Sequence, residues 1–133
     1  MDVRNISFAL TTKQIRERTK TVTRRLGWKH LRKGDLLQGV VKGMGLKPGE
    51  KPEKLAVIIV TKVEREPLNM MSLAEQYGDR EAVREGFPHL SGHEFVGMFT
   101  EHMKCLPCTE VTRIEFRYLP GGATASTKRK DGE

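Results

Sequence analysis

Residues 18–25 read Arg-Thr-Lys-Thr-Val-Thr-Arg-Arg, and this basic, threonine-rich stretch decides how the rest of the chain is interpreted. Threonine and valine are β-branched and favour extended backbone, so the stretch predicts a short strand. In a strand with regular alternation, the three threonines lie on one face, and Lys20, Val22 and Arg24 lie on the other. The strand would then present hydroxyl groups as nucleophiles and cationic side chains as ligand contacts. The alternative is an edge strand whose basic side chains are only solvated.

The positive charge of the chain is concentrated around that stretch. The sequence has 24 basic and 17 acidic residues, which gives a net charge of +7. Between positions 13 and 33, one acidic residue, Glu17, opposes nine basic ones: Lys13, Arg16, Arg18, Lys20, Arg24, Arg25, Lys29, Arg32 and Lys33. A dense basic segment suits phosphate binding, because each neutralised phosphate releases condensed counterions. The segment therefore predicts a nucleic-acid partner, with solubility alone as the alternative explanation.

Length, composition and cysteine content indicate the class of protein. A chain of 133 residues with 31% charged and 37% hydrophobic residues has the size and composition of one globular domain. No stretch approaches the roughly 18 consecutive apolar residues of a membrane span. The first residues lack the apolar core of a signal peptide, and two cysteines without such a signal are typical of a reducing compartment. We therefore expect a cytoplasmic protein with no membrane partner.

Residue patterns predict more strand than helix. Strands are expected over residues 5–10, 18–25, 35–42, 55–65 and 110–119. A short helix is expected over residues 13–18, and capping-box spacing at Ser72 with Glu75 and at Ser91 with Glu94 predicts two later helices. Residues 120–133 are polar and predict a flexible tail. Because strands and helices do not alternate regularly, the pattern indicates an α+β fold, a small, partly closed β-barrel with short flanking helices.

Three further motifs follow the basic stretch in order: Lys33-Gly34-Asp35, Glu85-Gly86-Phe87 and Val111-Thr112-Arg113-Ile114-Glu115-Phe116. Together with residues 18–25, they resemble the ASCH domain family of PUA-like barrels, and in particular the small ASCH proteins of bacteriophages and prophages. The resemblance spans residues 3–119. It implies a PUA-like β-barrel with a cleft lined by the Lys-Thr-x-Thr segment. It also implies RNA or a nucleoside as the ligand, with DNA as a further candidate.

A nucleic-acid-binding function without chemistry is the first prediction from this resemblance. The expected contacts come from a basic Lys-Thr-x-Thr-x-Arg cleft and its surroundings: Arg18, Lys20, Thr21, Arg24, Arg25, Trp28 and Lys29. Trp28 would stack on a base, which is worth about 1–3 kcal/mol, or it would plug the end of the barrel instead.

Hydrolysis is the alternative, because one branch of the family removes the acetyl group of N4-acetylcytidine with a lysine, a threonine and a glutamate. The motif match assigns Lys20 as general base, Thr23 as nucleophile and Glu85 as the third residue. A threonine hydroxyl needs a neighbouring base, and a lysine serves only if burial or a nearby cation lowers its pKa. A carboxyl group would protonate the departing amine. Lys20 and Thr23 face opposite sides of a regular strand, so the assignment predicts a bulge or twist.

Two further possibilities carry less weight. A ribonuclease is the second alternative, although the sequence shows no cluster of carboxylates for two metal ions. His102, Cys105 and Cys108 are spaced like half of a zinc site, but a fourth ligand would have to come from His89 or His93. Two free cysteines at a helix-to-strand junction are the preferred interpretation, so no metal and no cofactor are predicted.

Overall fold

A computed structural model describes residues 3–120 of the chain. Almost all of the predicted tail, from Gly121 onward, lies outside the described residues. The remaining chain forms one curled sheet and a group of short helices packed on it.

Five strands form the sheet: β1 (Arg4–Ser7), β2 (Val22–Arg25), β3 (Leu36–Val40), β4 (Lys54–Pro67) and β5 (Glu110–Tyr118). Their order in the sheet is β1-β3-β4-β5-β2. The β1–β3 pair is parallel, and the other three pairs are antiparallel. β4 is long because its first half pairs with β3 and its second half pairs with β5.

The curl of the sheet has a local cause in β4. The register with β5 shifts between Val60 and Lys62, which leaves Thr61 as an extra residue in β4. A bulge of this kind bends the strand and increases its twist. The two edge strands approach each other as a result, and the Arg25 guanidinium of β2 donates to the Ser7 carbonyl of β1 at 2.6 Å. The sheet is therefore a half-barrel, and the predicted α+β fold, a partly closed barrel with short flanking helices, is confirmed.

The helices lie in two places along the chain. A 3-10 turn (Ala9–Thr11) and α1 (Thr12–Arg16) follow β1, and three helices separate β4 from β5: α2 (Met70–Leu73), α3 (Glu75–Arg84) and α4 (Gly92–Met103). Among residues 3–120, no helix combines the length and the apolar character needed to cross a membrane.

Of the two predicted capping boxes, only the second forms. Ser91 Oγ accepts from the Glu94 backbone at 3.0 Å, and Glu94 Oε1 accepts from the Ser91 backbone at 2.9 Å, so two free N–H groups at the start of α4 are satisfied. Ser72 instead lies inside α2, and α3 begins after Ala74 with no side-chain cap.

Two apolar clusters hold these elements together. The first fills the half-barrel beneath α1 and includes Ile6, Phe8, Ile15, Ile58 and Phe116. The second lies under the helices and includes Leu68, Met71, Ala82, Phe95 and Val111. Polar side chains of β2 and α3 also meet, since Arg24 donates to Glu81 at 2.6 Å.

Candidate functional site

Lys20, Thr23 and Glu85 line the same cavity, which has a volume of about 190 Å³. β2 begins only at Val22, so the predicted strand over residues 18–25 is too long at its start. Because Lys20 precedes the strand, strand alternation does not turn its side chain away from that of Thr23. The predicted bulge between them is therefore unnecessary.

Backbone contacts fix this segment beside the end of α3. The Thr21 N–H donates to the Arg84 carbonyl at 2.9 Å, and the Thr21 carbonyl accepts from the Phe116 N–H of β5 at 3.0 Å. Glu85 is the C-cap of α3, directly after its last residue, and Gly86 follows it with φ +100°. A side chain at Gly86 would be strained there and would also meet Gln14 Cγ at 2.9 Å. The Glu-Gly-Phe motif thus reflects a turn that places Glu85 against Lys20.

Lys20 and Glu85 form a buried ion pair. Lys20 Nζ lies 2.7 Å from Glu85 Oε1 and 2.8 Å from the Glu85 carbonyl oxygen. Each side chain is 3% exposed. Burial lowers the pKa of Lys20 below its usual value, although the Glu85 carboxylate acts in the opposite direction. The amine is therefore closer to its neutral form than an exposed lysine would be.

Arg24 connects this pair to a larger group of glutamates. Its guanidinium donates to Glu85 Oε2 at 3.1 Å, to Glu81 Oε1 at 2.6 Å and to Glu66 Oε2 at 3.0 Å. Burial alone would lower the pKa of Arg24, but the attraction of these carboxylates outweighs it and raises the pKa. Its Nε–H is buried with no acceptor among residues 3–120. Arg24 is thus enclosed, and contact with a phosphate would require it to leave its carboxylates.

Glu81 is the centre of that group. It also accepts from Arg113 Nε of β5 at 2.6 Å and from Arg113 Nη2 at 3.1 Å. Burial would raise the pKa of Glu81, but the hydrogen bonds from Arg113 and Arg24 lower it to about 2. Sequence reasoning missed Glu81 and Arg113. A usable signal existed, because Tyr77, Glu81 and Glu85 recur every four residues and therefore share one face of α3.

Tyr77 completes the same face of the helix. Its hydroxyl donates to Glu66 Oε1 at 2.8 Å. Burial and this hydrogen bond raise the pKa of Tyr77 to about 12, so the phenol is neutral at physiological pH. The network runs from the cavity, at Lys20, to the partly exposed Glu66 beneath α3.

Thr23 is held by a different arginine. Arg25 Nε donates to Thr23 Oγ1 at 3.1 Å, while the Arg25 guanidinium carbon lies 5.0 Å above the Phe8 ring. Among the described residues, Lys20 Nζ makes no hydrogen bond to Thr23 Oγ1. The candidate base and the candidate nucleophile thus line the same cavity, and each is held by another partner.

Much of the remaining lining of the cavity is apolar. It comes from α4, from the turn before it and from the 3-10 turn, with these residues among the lining: Phe8, Leu10, Phe87, Phe95, Met98, Phe99 and Met103. A concave site that combines a few converging polar groups with aromatic side chains suits a planar organic ligand. These α4 residues are not among those that the sequence predicted to line a site.

The remaining residues that were predicted to bind nucleic acid lie away from the cavity. Arg18 is exposed and stacks 5.2 Å from the Tyr118 ring. Trp28 packs against the half-barrel core, with the Arg4 guanidinium carbon 4.3 Å from its ring. Thr21 is partly buried beside β5, and Lys29 is exposed. Of the residues that were predicted to bind nucleic acid, Lys20, Arg24 and Arg25 thus line the cavity, and the others do not.

The histidine and cysteines near the end of α4 do not converge. Within residues 3–120, no three histidine, cysteine, aspartate or glutamate side chains lie together in a way that could hold a metal ion. Cys105 is partly buried, Cys108 is exposed, and both are free.

Comparisons with known proteins identify the fold. No protein-family model and no curated protein sequence matches the chain. Among solved structures, the chain is similar to an ASCH domain from Lactobacillus crispatus, with a TM-score of 0.59 and 14% identity over 88% of this chain and 79% of that one. It is also similar to a DUF984 family protein from Enterococcus faecalis, with a TM-score of 0.56 and 16% identity over 90% of this chain and 80% of that one. At such identities the likeness concerns the fold, and the fold is that of an ASCH-like domain.

Proposed function

We propose that this protein is a hydrolase that removes an acyl group from the exocyclic amine of a nucleoside, in the class of N4-acetylcytidine. The observation that carries the proposal is the convergence of Lys20, Thr23 and Glu85 on one cavity. The motif resemblance supplies the roles, and the ASCH-like fold is consistent with them.

The buried ion pair supports the acid and base roles. Lys20 and Glu85 are joined by a 2.7 Å hydrogen bond, so the proton between them needs to move only a short distance. Transfer of that proton to Glu85 gives a neutral amine, which is the form a base needs, and a carboxylic acid, which is the form a proton donor needs. Burial of Lys20 favours this state, whereas the contact of Arg24 with Glu85 favours the ion pair.

The reaction then has two halves. In the first, Thr23 Oγ bonds to the acyl carbon while its proton passes to Lys20, and the carbon–nitrogen bond breaks as Glu85 protonates the leaving amine. In the second, water bonds to the acyl carbon of the threonine ester and gives a proton to Glu85, while Thr23 recovers its proton from Lys20. Substrate entry must bring Lys20 and Thr23 together, directly or through one water, as catalytic groups in ligand-free sites often require.

The shape of the cavity supports a planar base as the bound group. Its volume is about 190 Å³, and phenylalanine and methionine side chains of α4 form part of its lining. Aromatic side chains bind flat rings by stacking and edge contacts, while the polar groups of the cavity would receive the amide.

The test is acetate release from N4-acetylcytidine in the presence of a chelator. Wild-type protein should form cytidine, and Thr23→Ala and Glu85→Gln, each shown by circular dichroism to be folded at the assay temperature, should lose most of the rate, because members of one catalytic unit are not additive. Thr19→Ala is the matched control, since Thr19 is an exposed threonine of the same segment. Absence of cytidine above background with wild-type protein would overturn the proposal. Turnover that survives in Thr23→Ala would remove the covalent step and leave water as the nucleophile.

A second function, RNA binding, is supported by a separate observation. Six of the nine basic residues between positions 13 and 33 are exposed: Lys13, Arg16, Arg18, Lys29, Arg32 and Lys33. Exposed cations of one region attract the phosphates of a nucleic acid. The nucleoside would then be presented to the cavity as part of an RNA chain. The ribonuclease alternative has no comparable support among residues 3–120.

A further inference from the structure

Arg25 differs from the neighbouring cations in the partners that it contacts. Lys20, Arg24 and Arg113 each lie within 2.7 Å of an oxygen of a buried glutamate. Among the described residues, Arg25 forms no ion pair, although it lines the same cavity. Arg25 is half-buried, and its two hydrogen bonds go to neutral oxygens, so no direct contact compensates its charge. The cavity is therefore suited to a ligand that brings negative charge to Arg25.

The contacts of Arg25 show where that charge would lie. Its Nε donates to Thr23 Oγ1 at 3.1 Å, and its Nη2 donates to the Ser7 carbonyl at 2.6 Å. One face of the guanidinium lies over the Phe8 ring. A guanidinium has more N–H donors than these two contacts use, and the remaining ones have no acceptor among residues 3–120. They lie beside the hydroxyl that the proposed reaction uses as its nucleophile.

We propose that Arg25 is a catalytic residue, which binds the carbonyl oxygen of the scissile amide and stabilises the negative charge that forms there. This inference rests on the proposed function. When Thr23 Oγ bonds to the acyl carbon, the electron pair of the carbonyl double bond moves to the oxygen, and the hydroxyl proton goes to Lys20. That oxygen shares its carbon with Thr23 Oγ, so it forms within reach of the guanidinium that already contacts Thr23. The double bond re-forms when the amine leaves.

A cation without an ion-pair partner matches the charge balance of the proposed reaction. An N4-acylated nucleoside base is neutral, so it brings no anion to the cavity in the ground state. The charge appears only in the tetrahedral intermediate and the transition states around it. A cation that meets a negative charge in the transition state, but not in the bound substrate, stabilises the transition state more than the substrate. It therefore lowers the barrier and does not only tighten substrate binding. Burial lowers the pKa of Arg25 to about 10, which leaves the guanidinium cationic at neutral pH.

The experiment compares kcat and KM of wild-type protein, Arg25→Ala and Arg25→Lys with N4-acetylcytidine. Loss of one such donor group typically reduces kcat by about 10²–10³-fold, and we expect that loss for Arg25→Ala with little change in KM. Guanidinium ion, added at concentrations that do not denature the protein, should restore part of the rate of Arg25→Ala only. Arg65→Ala is the matched control, because Arg65 pairs with Glu110 on the surface.

The outcomes separate this inference from the function it rests on. If wild-type protein is inactive, both are wrong. If wild-type protein is active and Arg25→Ala keeps its kcat, or changes KM alone, only the role of Arg25 is wrong. Arg25 also bridges β1 and β2, so circular dichroism must show that Arg25→Ala is folded. If it is unfolded, Arg25→Lys decides the question: a kcat reduced at least about tenfold supports the role, and an unchanged kcat overturns it.

Discussion

Lys20 Nζ and Glu85 Oε1 are 2.7 Å apart in a site where neither side chain is more than 3% exposed. Arg24 contacts the second oxygen of the same carboxylate. The Glu85 charge is therefore balanced by two cations from the segment around β2, although Glu85 belongs to the end of α3. This arrangement joins the helical part of the molecule to the half-barrel through charge instead of apolar packing alone.

Removal of the Glu85 charge should strongly destabilise the fold. Breaking a buried pair leaves an uncompensated charge, which costs about 3–5 kcal/mol, so Glu85→Gln should lower the free energy of unfolding by that amount. Urea denaturation measures it. Glu110→Gln is the control, because it breaks an exposed pair with Arg65 and should cost at most about 1 kcal/mol.

A double variant tests whether Lys20 and Glu85 stabilise the fold as a pair. Lys20→Met combined with Glu85→Gln removes both charges, so its loss should be smaller than the sum of the single losses. Equal losses for Glu85→Gln and Glu110→Gln would contradict the buried pair.

Stability should also fall at acid pH because of Glu81. An unfolded glutamate takes up its proton near pH 4.5, whereas Glu81 in the folded protein does so near pH 2. The unfolded state therefore binds more protons between these values, and the stability that Glu81 contributes is present above pH 4.5 and lost as the pH falls towards 2. Urea melts at several pH values should show this slope. Glu81→Gln should flatten it, while Glu101→Gln, on an exposed side chain of α4, should leave it unchanged.

Much of the fold could be predicted from local pattern, because strand alternation and helix caps act over a few residues. β4, β5 and the Ser91 cap are examples. The convergence of Lys20 with Glu85 was predicted only through the motif resemblance, since 65 positions separate the two residues. Their meeting depends on the route of the chain between them.

The different fates of Arg24 and Arg25 could not be predicted from composition. The two are adjacent and chemically identical, yet Arg24 is enclosed by three glutamates, whereas Arg25 contacts Thr23, Ser7 and Phe8. What distinguishes them is the partner that each face of β2 meets. Those partners come from α3 and β4 for Arg24, and from β1 and the residue that follows it for Arg25. Only the assembled sheet specifies them.

RNA binding should depend on exposed cations and on salt. For single strands the slope of log affinity against log salt is about −0.7 per phosphate contact. Arg32→Ala with Lys33→Ala should therefore weaken binding and make the slope less steep by about 1.4 if each side chain contacts one phosphate. Fluorescence anisotropy with a labelled single-stranded RNA measures both quantities.

Lys62→Ala with Arg80→Ala is the control for net charge, since both residues are exposed and lie outside residues 13–33. Equal effects of the two double variants, or binding that does not respond to salt, would contradict a specific basic surface.

The position of α3, which contains Glu81 and is followed by Glu85, should depend on Gly78. A Cβ atom at Gly78 would lie 1.8 Å from the Met71 carbonyl oxygen, and one at Gly92 would lie 2.6 Å from the Gly78 Cα atom. The helices therefore meet backbone to backbone, and Gly78→Ala must push them apart, at a cost of about 1–3 kcal/mol or more. The glutamates would move with the helix, so hydrolysis should fall as well.

Gly97→Ala is the matched control, because Gly97 is an exposed position inside α4 with no atom within 4 Å of an added Cβ. Replacing a helical glycine by alanine in open space should stabilise the protein by about 0.5–1 kcal/mol and leave activity unchanged. Thermal unfolding and the N4-acetylcytidine assay, run on both variants, should show opposite shifts in stability. A Gly78→Ala protein as stable and as active as Gly97→Ala would show that this close approach of the helices does not position the site.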